Sequence, residues 1–123
     1  MRYNETMPIR VKRIYETPAS DDGLRVLVDR LWPRGISKER AHLDQWWREV
    51  TPSAELRRWF GHCTERWDAF KARYIRELDQ KDDAVFEAVT AHKGTVTLLY
   101  AAKDPEHNHA NVLKRYLERR FDL

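Results

Sequence analysis

Leu24-Arg25-Val26-Leu27-Val28-Asp29-Arg30-Leu31-Trp32-Pro33-Arg34-Gly35 is the stretch whose reading decides the fold. Its first five residues are a nearly continuous apolar run, the pattern of a strand covered on both faces. The run meets Asp29 and Arg30, and Pro33 and Gly35 then stop regular structure. Thr95–Ala101 (Thr-Val-Thr-Leu-Leu-Tyr-Ala) repeats the pattern and is the clearest buried strand in the chain. These two strands, Val26–Val28 and Val96–Tyr100 at their most apolar, are expected at the centre of one sheet.

Working outward, Ile9–Tyr15 is short and β-branched and reads as another strand, followed by a turn-forming tract from Thr17 to Gly23. Ser37 suits the N-cap of a short helical turn, and Leu43–Val50 reads as a third strand in chain order, although Trp46-Trp47 breaks its alternation. Thr51-Pro52-Ser53 opens a helix, with Pro52 at its first position and Thr51 or Ser53 as cap. Leu56, Trp59 and Phe60 share a face of that helix, and Gly61 ends it. Thr64 is placed to cap the next, where Trp67, Phe70, Tyr74 and Leu78 fall at helical spacing. Asp82 is placed to cap a helix carrying Val85, Ala88 and Val89, with Gly94 at its exit. Ala110, Leu113, Tyr116 and Leu117 define a final amphipathic helix. Strands separated by helices predict a single layered α/β domain, with a mainly parallel sheet of about four strands flanked by helices. Residues 1–6 read as a polar leader and 7–123 as the domain.

Composition agrees with one domain. The chain has 123 residues, 41% of them hydrophobic, and a chain this size buries roughly two-thirds of its unfolded surface. A single cysteine forms no internal disulfide, which argues against a secreted disulfide scaffold and for the cytoplasm. No apolar run approaches the roughly 20 residues a membrane helix needs. The 23 Lys and Arg exceed the 20 Asp and Glu by only three, with both signs interspersed. Nucleic-acid binders concentrate basic charge on one face or in one run, so this distribution argues against nucleic acid as a partner.

In open α/β sheets ligands bind beyond the carboxyl ends of the strands. Asp29, Arg30, Trp32, Arg34 and Lys38 follow the first central strand. Lys103, Asp104, Asn108 and His109 follow the second, the last two at the start of a helix whose free N–H groups suit an anion. Arg30 and Arg34 are candidate bidentate partners of a phosphate or carboxylate. The opposing structural reading pairs Asp29 with Arg30 and leaves Asn108 as a plain cap. His109 is the candidate acid or base, since a helix start favours the neutral imidazole. On the blander reading it is an exposed loop residue.

Other patterns carry less. His62 precedes Cys63, but adjacent residues rarely bring base and nucleophile into attacking geometry, so Cys63 reads as an incidental loop residue. His107-Asn108-His109 lacks the longer ββα context of a nuclease, and nothing nearby completes a set of metal ligands. Neither a metal nor a cofactor is expected. Most aromatic residues read as core, with Trp32 and Trp46 as pocket-lining exceptions.

With these segments in hand, the chain resembles the YeaO-like branch of the bacterial domain of unknown function 488 family. Lys12–Glu16, Arg25–Gly35, Pro52–His62, Val96–Asp104 and Asn108-His109-Ala110 carry the resemblance, and the Leu-Val-Asp-Arg-Leu-Trp-Pro-Arg-Gly block is the most specific of them. It implies a compact α/β domain and supplies no established activity. The wider family often has Cys-His-Arg where this chain has Asn108-His109-Ala110, so only the histidine is kept. Some relatives carry a label suggesting a MarR-type regulator. That class needs a winged helix-turn-helix, which this order of elements does not provide. The resulting expectation is a protein that binds a small anionic or phosphorylated ligand at the strand ends, with chemistry on that ligand left open. In this reading Arg30, Arg34, Lys103, Asp104 and Asn108 hold the ligand, Trp32 covers it, Asp29 orients an arginine and His109 moves a proton. The alternative is a nucleic-acid-binding or regulatory module without catalysis. The sequence leaves the oligomeric state open.

Overall fold

Alternation along two adjacent strands divides the core in two. A computed structural model describes residues 8–123, so the expected leader at 1–6 and the domain start at Met7 lie outside the described residues. The strands are β1 (Ile9–Arg13), β2 (Leu24–Leu27), β3 (Gln45–Trp46) and β4 (Val96–Tyr100). They form one sheet in the order β1-β4-β2-β3, with every pairing parallel. The two most apolar strands are therefore central, as their composition requires. The protein is a layered α/β fold.

Val26, Val28, Val96, Leu98 and Tyr100 point to one face, where they meet α2 (Ala54–Phe60), α3 (Trp67–Asp79) and α5 (His109–Arg120). Leu27 and Leu99 point to the other and pack with Ile14, Ile36 and Ala41 in a smaller core under α1 (Lys38–Ala41). The larger core takes Phe70, Tyr74 and Leu78 from α3, spaced four apart on one helical stripe. A short helix, α4 (Glu87–Thr90), precedes β4.

Several local expectations need correction. The strand expected over Leu43–Val50 is only two residues long, because Arg48–Val50 coils into a 3₁₀ turn and Trp47 drops into the core. Its Nε1 there donates to the Val85 carbonyl, 3.2 Å away. Pro52 lies outside α2; Ser53 caps it, accepting from the Leu56 N–H at 3.1 Å. Glu77 on α3 then accepts from the Ser53 N–H and hydroxyl at 2.9 and 2.7 Å, fastening the two helices. Thr64 caps nothing, since it begins a 3₁₀ turn before α3, and Asp82 flanks its turn without a side-chain cap bond. Gly94 lies beyond the end of α4, which closes on Ala91. Ser37 does cap α1, accepting from Arg40 N–H at 3.1 Å.

Gly23 is required by geometry at the entry to β2. Its φ is +67°, and a Cβ there would lie 2.1 Å from the Thr95 carbonyl oxygen. Backbone on both sides leaves nothing free to give way. Gly23→Ala is expected to lose about 2 kcal/mol or more, by strain at that φ and by overlap. Urea unfolding of the two proteins measures it, and unchanged stability would contradict the close approach of the two strands.

Candidate functional site

The loops after β2 and β4 diverge. The chain leaving β2 turns toward β3 at one edge, whereas α5, after β4, packs over β4 and β1. This is a topological switch point, where doubly wound sheets open a crevice. A cavity of about 380 Å³ lies there. Asp29, Arg30, Trp32 and Arg34 border it from the β2 side, and Asn108 and His109 from the start of α5. Arg30 and His109, far apart in sequence, thus share one recess.

Asp29 does not pair with Arg30, and it orients no arginine. One carboxylate oxygen accepts from the Ala101 N–H at 3.0 Å, holding the two loops together. The other lies 3.2 Å from His109 Nε2 and is buried without a hydrogen bond of its own. That Nε2 is 2.7 Å from the Val28 carbonyl. A carbonyl only accepts, so Nε2 carries the proton in this contact and Nδ1 is the free nitrogen. The ring also meets Tyr74 edge-on, with centroids 6.4 Å apart. His109 is therefore a fixed part of the wall, not an exposed loop residue.

Asn108 is a cap and a brace. Its Oδ1 accepts from the Asn111 N–H at 3.0 Å, and its Nδ2 donates to the Asp104 carbonyl at 2.9 Å. Both polar ends are engaged, so it shapes the rim while the guanidinium groups remain free to bind. Asp104 is spent in the same loop. Its Oδ1 accepts from the N–H groups of Glu106 and His107 at 2.9 and 3.0 Å, and its Oδ2 meets His107 Nδ1 at 2.9 Å. The His107 and Glu106 amides, with the His107 ring, pull the Asp104 carboxyl down to about 2. These loop amides already hold a carboxylate, and at the start of α5 the Asn108 side chain takes the Asn111 N–H. Lys103 and Asp104 border a second, more open compartment and not the inner one. Lys38 borders neither. Trp32 lines the inner cavity, with its Nε1 donating to the Ile36 carbonyl at 2.7 Å. Trp46 packs edge-on against Trp32 from behind, and its own N–H goes to the Asp29 carbonyl.

The far wall comes from residues that sequence reasoning did not place here. Arg57, Phe60 and His62, on α2 and just past its end, line the inner cavity with Thr51 and Pro52. His107 adds a third histidine, and Tyr15 closes the β1 side. His62, just after the Gly61 that ends α2, takes φ +60°, a conformation uncommon without glycine that only the fold reveals. Nothing local marks Arg57. Arg30, Arg34 and Arg57 have no carboxylate partner among the described residues, and Asp29 is the only acidic residue lining the inner cavity. No group of three or more potential metal ligands occurs among the described residues.

A family profile described as "Inactive DUF488-N3 subclade" matches residues 8–123. The chain is 45% identical over 112 residues to "Uncharacterized protein YeaO" of Escherichia coli K12, covering 90% of this chain and 97% of that protein. The chain belongs to the domain of unknown function 488 family. Within that family it is also similar to "Uncharacterized protein Rv3073c" of Mycobacterium tuberculosis H37Rv and "Uncharacterized protein Mb3100c" of Mycobacterium bovis. Each is 42% identical over 113 residues, covering 91% of this chain and 95% of the relative. No solved structure matches the chain. No helix among the described residues is long and apolar enough to cross a membrane.

Proposed function

We propose that this member of the domain of unknown function 488 family binds a small anionic, phosphate-bearing ligand in the switch-point cavity, without performing chemistry on it. One observation carries the reading: three guanidinium groups without carboxylate partners among the described residues surround a cavity whose single acid there is turned to a histidine. Guanidinium forks match phosphate oxygens bidentately, and such charge-assisted hydrogen bonds are stronger than neutral ones. A volume of about 380 Å³ fits one small ligand. His109 and Asp29 act as wall and brace.

Binding without turnover is supported by the word "Inactive" in the matching profile. The residue at the position of the wider family's cysteine, Asn108, is no nucleophile. Cys63, the single cysteine, is not part of either cavity wall. A lone cysteine with no internal partner suits a cytoplasmic setting.

A thermal-shift screen of phosphorylated metabolites tests the proposal. Ligands should raise the melting temperature of the native chain and leave that of Arg30→Ala nearly unmoved, because bound ligand stabilises only the state it binds. Equal shifts in both proteins would remove Arg30 from the site, and no shift with any compound would remove the site.

A further inference from the structure

We propose that the ligand class is a mononucleotide, with its phosphate among Arg30, Arg34 and Arg57 and its base against the rings joining the two compartments of the cleft. The inference rests on the anion-binding reading above and specifies the rest of the ligand.

The inner cavity continues into the outer compartment, and the side chains common to both include four rings: Tyr15, Phe60, His62 and His107. The junction is therefore a ring-lined passage, while Arg30 and Arg57, cations unpaired among the described residues, border the inner compartment alone. An inorganic oxyanion would satisfy the cations and leave that passage bare. An uncharged aromatic compound would do the reverse. A ligand that satisfies both has a compact dianion at one end and a flat heterocycle at the other.

A second observation points the same way. Among the described residues, the large hydrophobic side chains left exposed are Tyr15, at 39%, and Leu31, at 67%, and both line the inner cavity. Apolar surface exposed in a monomer concentrates where something is meant to cover it. Tyr15 is also held in place before any ligand arrives. Its hydroxyl donates to the Arg34 carbonyl at 2.6 Å, and the Arg13 guanidinium sits 4.7 Å from its ring centroid. Arg13 is in turn pinned by its bonds to the Ala102 and Ala101 carbonyls at 2.9 and 3.1 Å. A ring fixed in advance loses little freedom when a base packs on it, which is the condition for a stacking platform.

Isothermal titration calorimetry at fixed ionic strength tests the class with AMP, UMP, ribose 5-phosphate, inorganic phosphate and adenosine. AMP and UMP are expected to bind about tenfold more tightly than ribose 5-phosphate, the effect of one stacked base, with adenosine weaker than either nucleotide. Tyr15→Ala should remove most of the nucleotide advantage and leave ribose 5-phosphate unchanged. Thermal melting would show that the exposed ring's loss spares the fold. Equal affinity for ribose 5-phosphate and AMP, or AMP binding indifferent to Tyr15→Ala, overturns the nucleotide class while the anion site stands. Adenosine as tight as AMP, or no binding by any phosphorylated compound, overturns both.

Discussion

Asp22→Ala is expected to destabilise the folded chain by about 3–5 kcal/mol, the usual consequence of leaving a buried charge without its partner. Asp22 is 3% exposed and Arg25 5% exposed. The carboxylate accepts from Lys12 Nζ on β1 at 3.0 and 3.1 Å, from the Arg25 guanidinium on β2 and from the Ala19 N–H at 3.0 Å. The Asp22 carbonyl also accepts from the Thr97 hydroxyl on β4 at 2.6 Å. Arg25 goes on to the Ala41 carbonyl at the end of α1, at 2.7 Å. One short turn therefore ties three strands and a helix together, and its loss strands two cations under the sheet. Urea unfolding at neutral pH measures the change, and a loss below about 1 kcal/mol would mean that water replaces the carboxylate.

The same site sets an acid limit. Burial alone would raise the Asp22 carboxyl, but the Ala19 N–H and the Lys12 and Arg25 side chains outweigh it and hold it below the ordinary range. A carboxyl lower in the folded than in the unfolded chain stabilises fully above its unfolded value, about 4. That contribution is lost as pH falls through the folded value. The stability gap between the native chain and Asp22→Asn should therefore narrow on acidification below about pH 4. A gap constant down to the folded value would show that shape, not charge, is what Asp22 contributes.

Joint replacement of Arg30 and Arg57 by alanine should weaken binding of a phosphorylated ligand about a hundredfold. The two residues reach the cavity from opposite walls, so their effects should add. A charge-assisted hydrogen bond contributes about 1.5 kcal/mol at its low end, the fitting choice for exposed guanidinium groups, and each such loss is about tenfold. Both residues are exposed and without carboxylate partners among the described residues, so folding stability should stay within about 0.5 kcal/mol. Calorimetric titration with the best compound of the thermal-shift screen measures the affinity. A loss no greater than that of either single replacement would place one of the two outside the site.

The sheet's centre was legible because burial on both faces leaves a continuous apolar run, and no other role in a small domain requires one at Val26–Val28 and Val96–Tyr100. The place of the cavity followed from that, through the rule that open parallel sheets form a crevice at the carboxyl ends of their strands. β3 was overcalled because Trp46 and Trp47 are apolar for different reasons. One packs behind the loop wall, the other fills the core from a 3₁₀ turn, and hydrophobicity alone does not separate them. Asp29 is read from the sequence as orienting an arginine, or on the blander reading as pairing with Arg30, because sequence proximity offers only neighbours, whereas the fold offers His109.

By itself the amino-acid order determined the layers, the two central strands and one half of the recess, since periodicity and burial are local properties of a chain. Which residues face that half across the gap was decided only by packing. Arg57, Phe60 and His62 reach the cavity because Glu77 fastens α2 to α3 and α3 lies over the sheet. Those are contacts between distant segments, set by how surfaces fit, and no spacing within either segment encodes them.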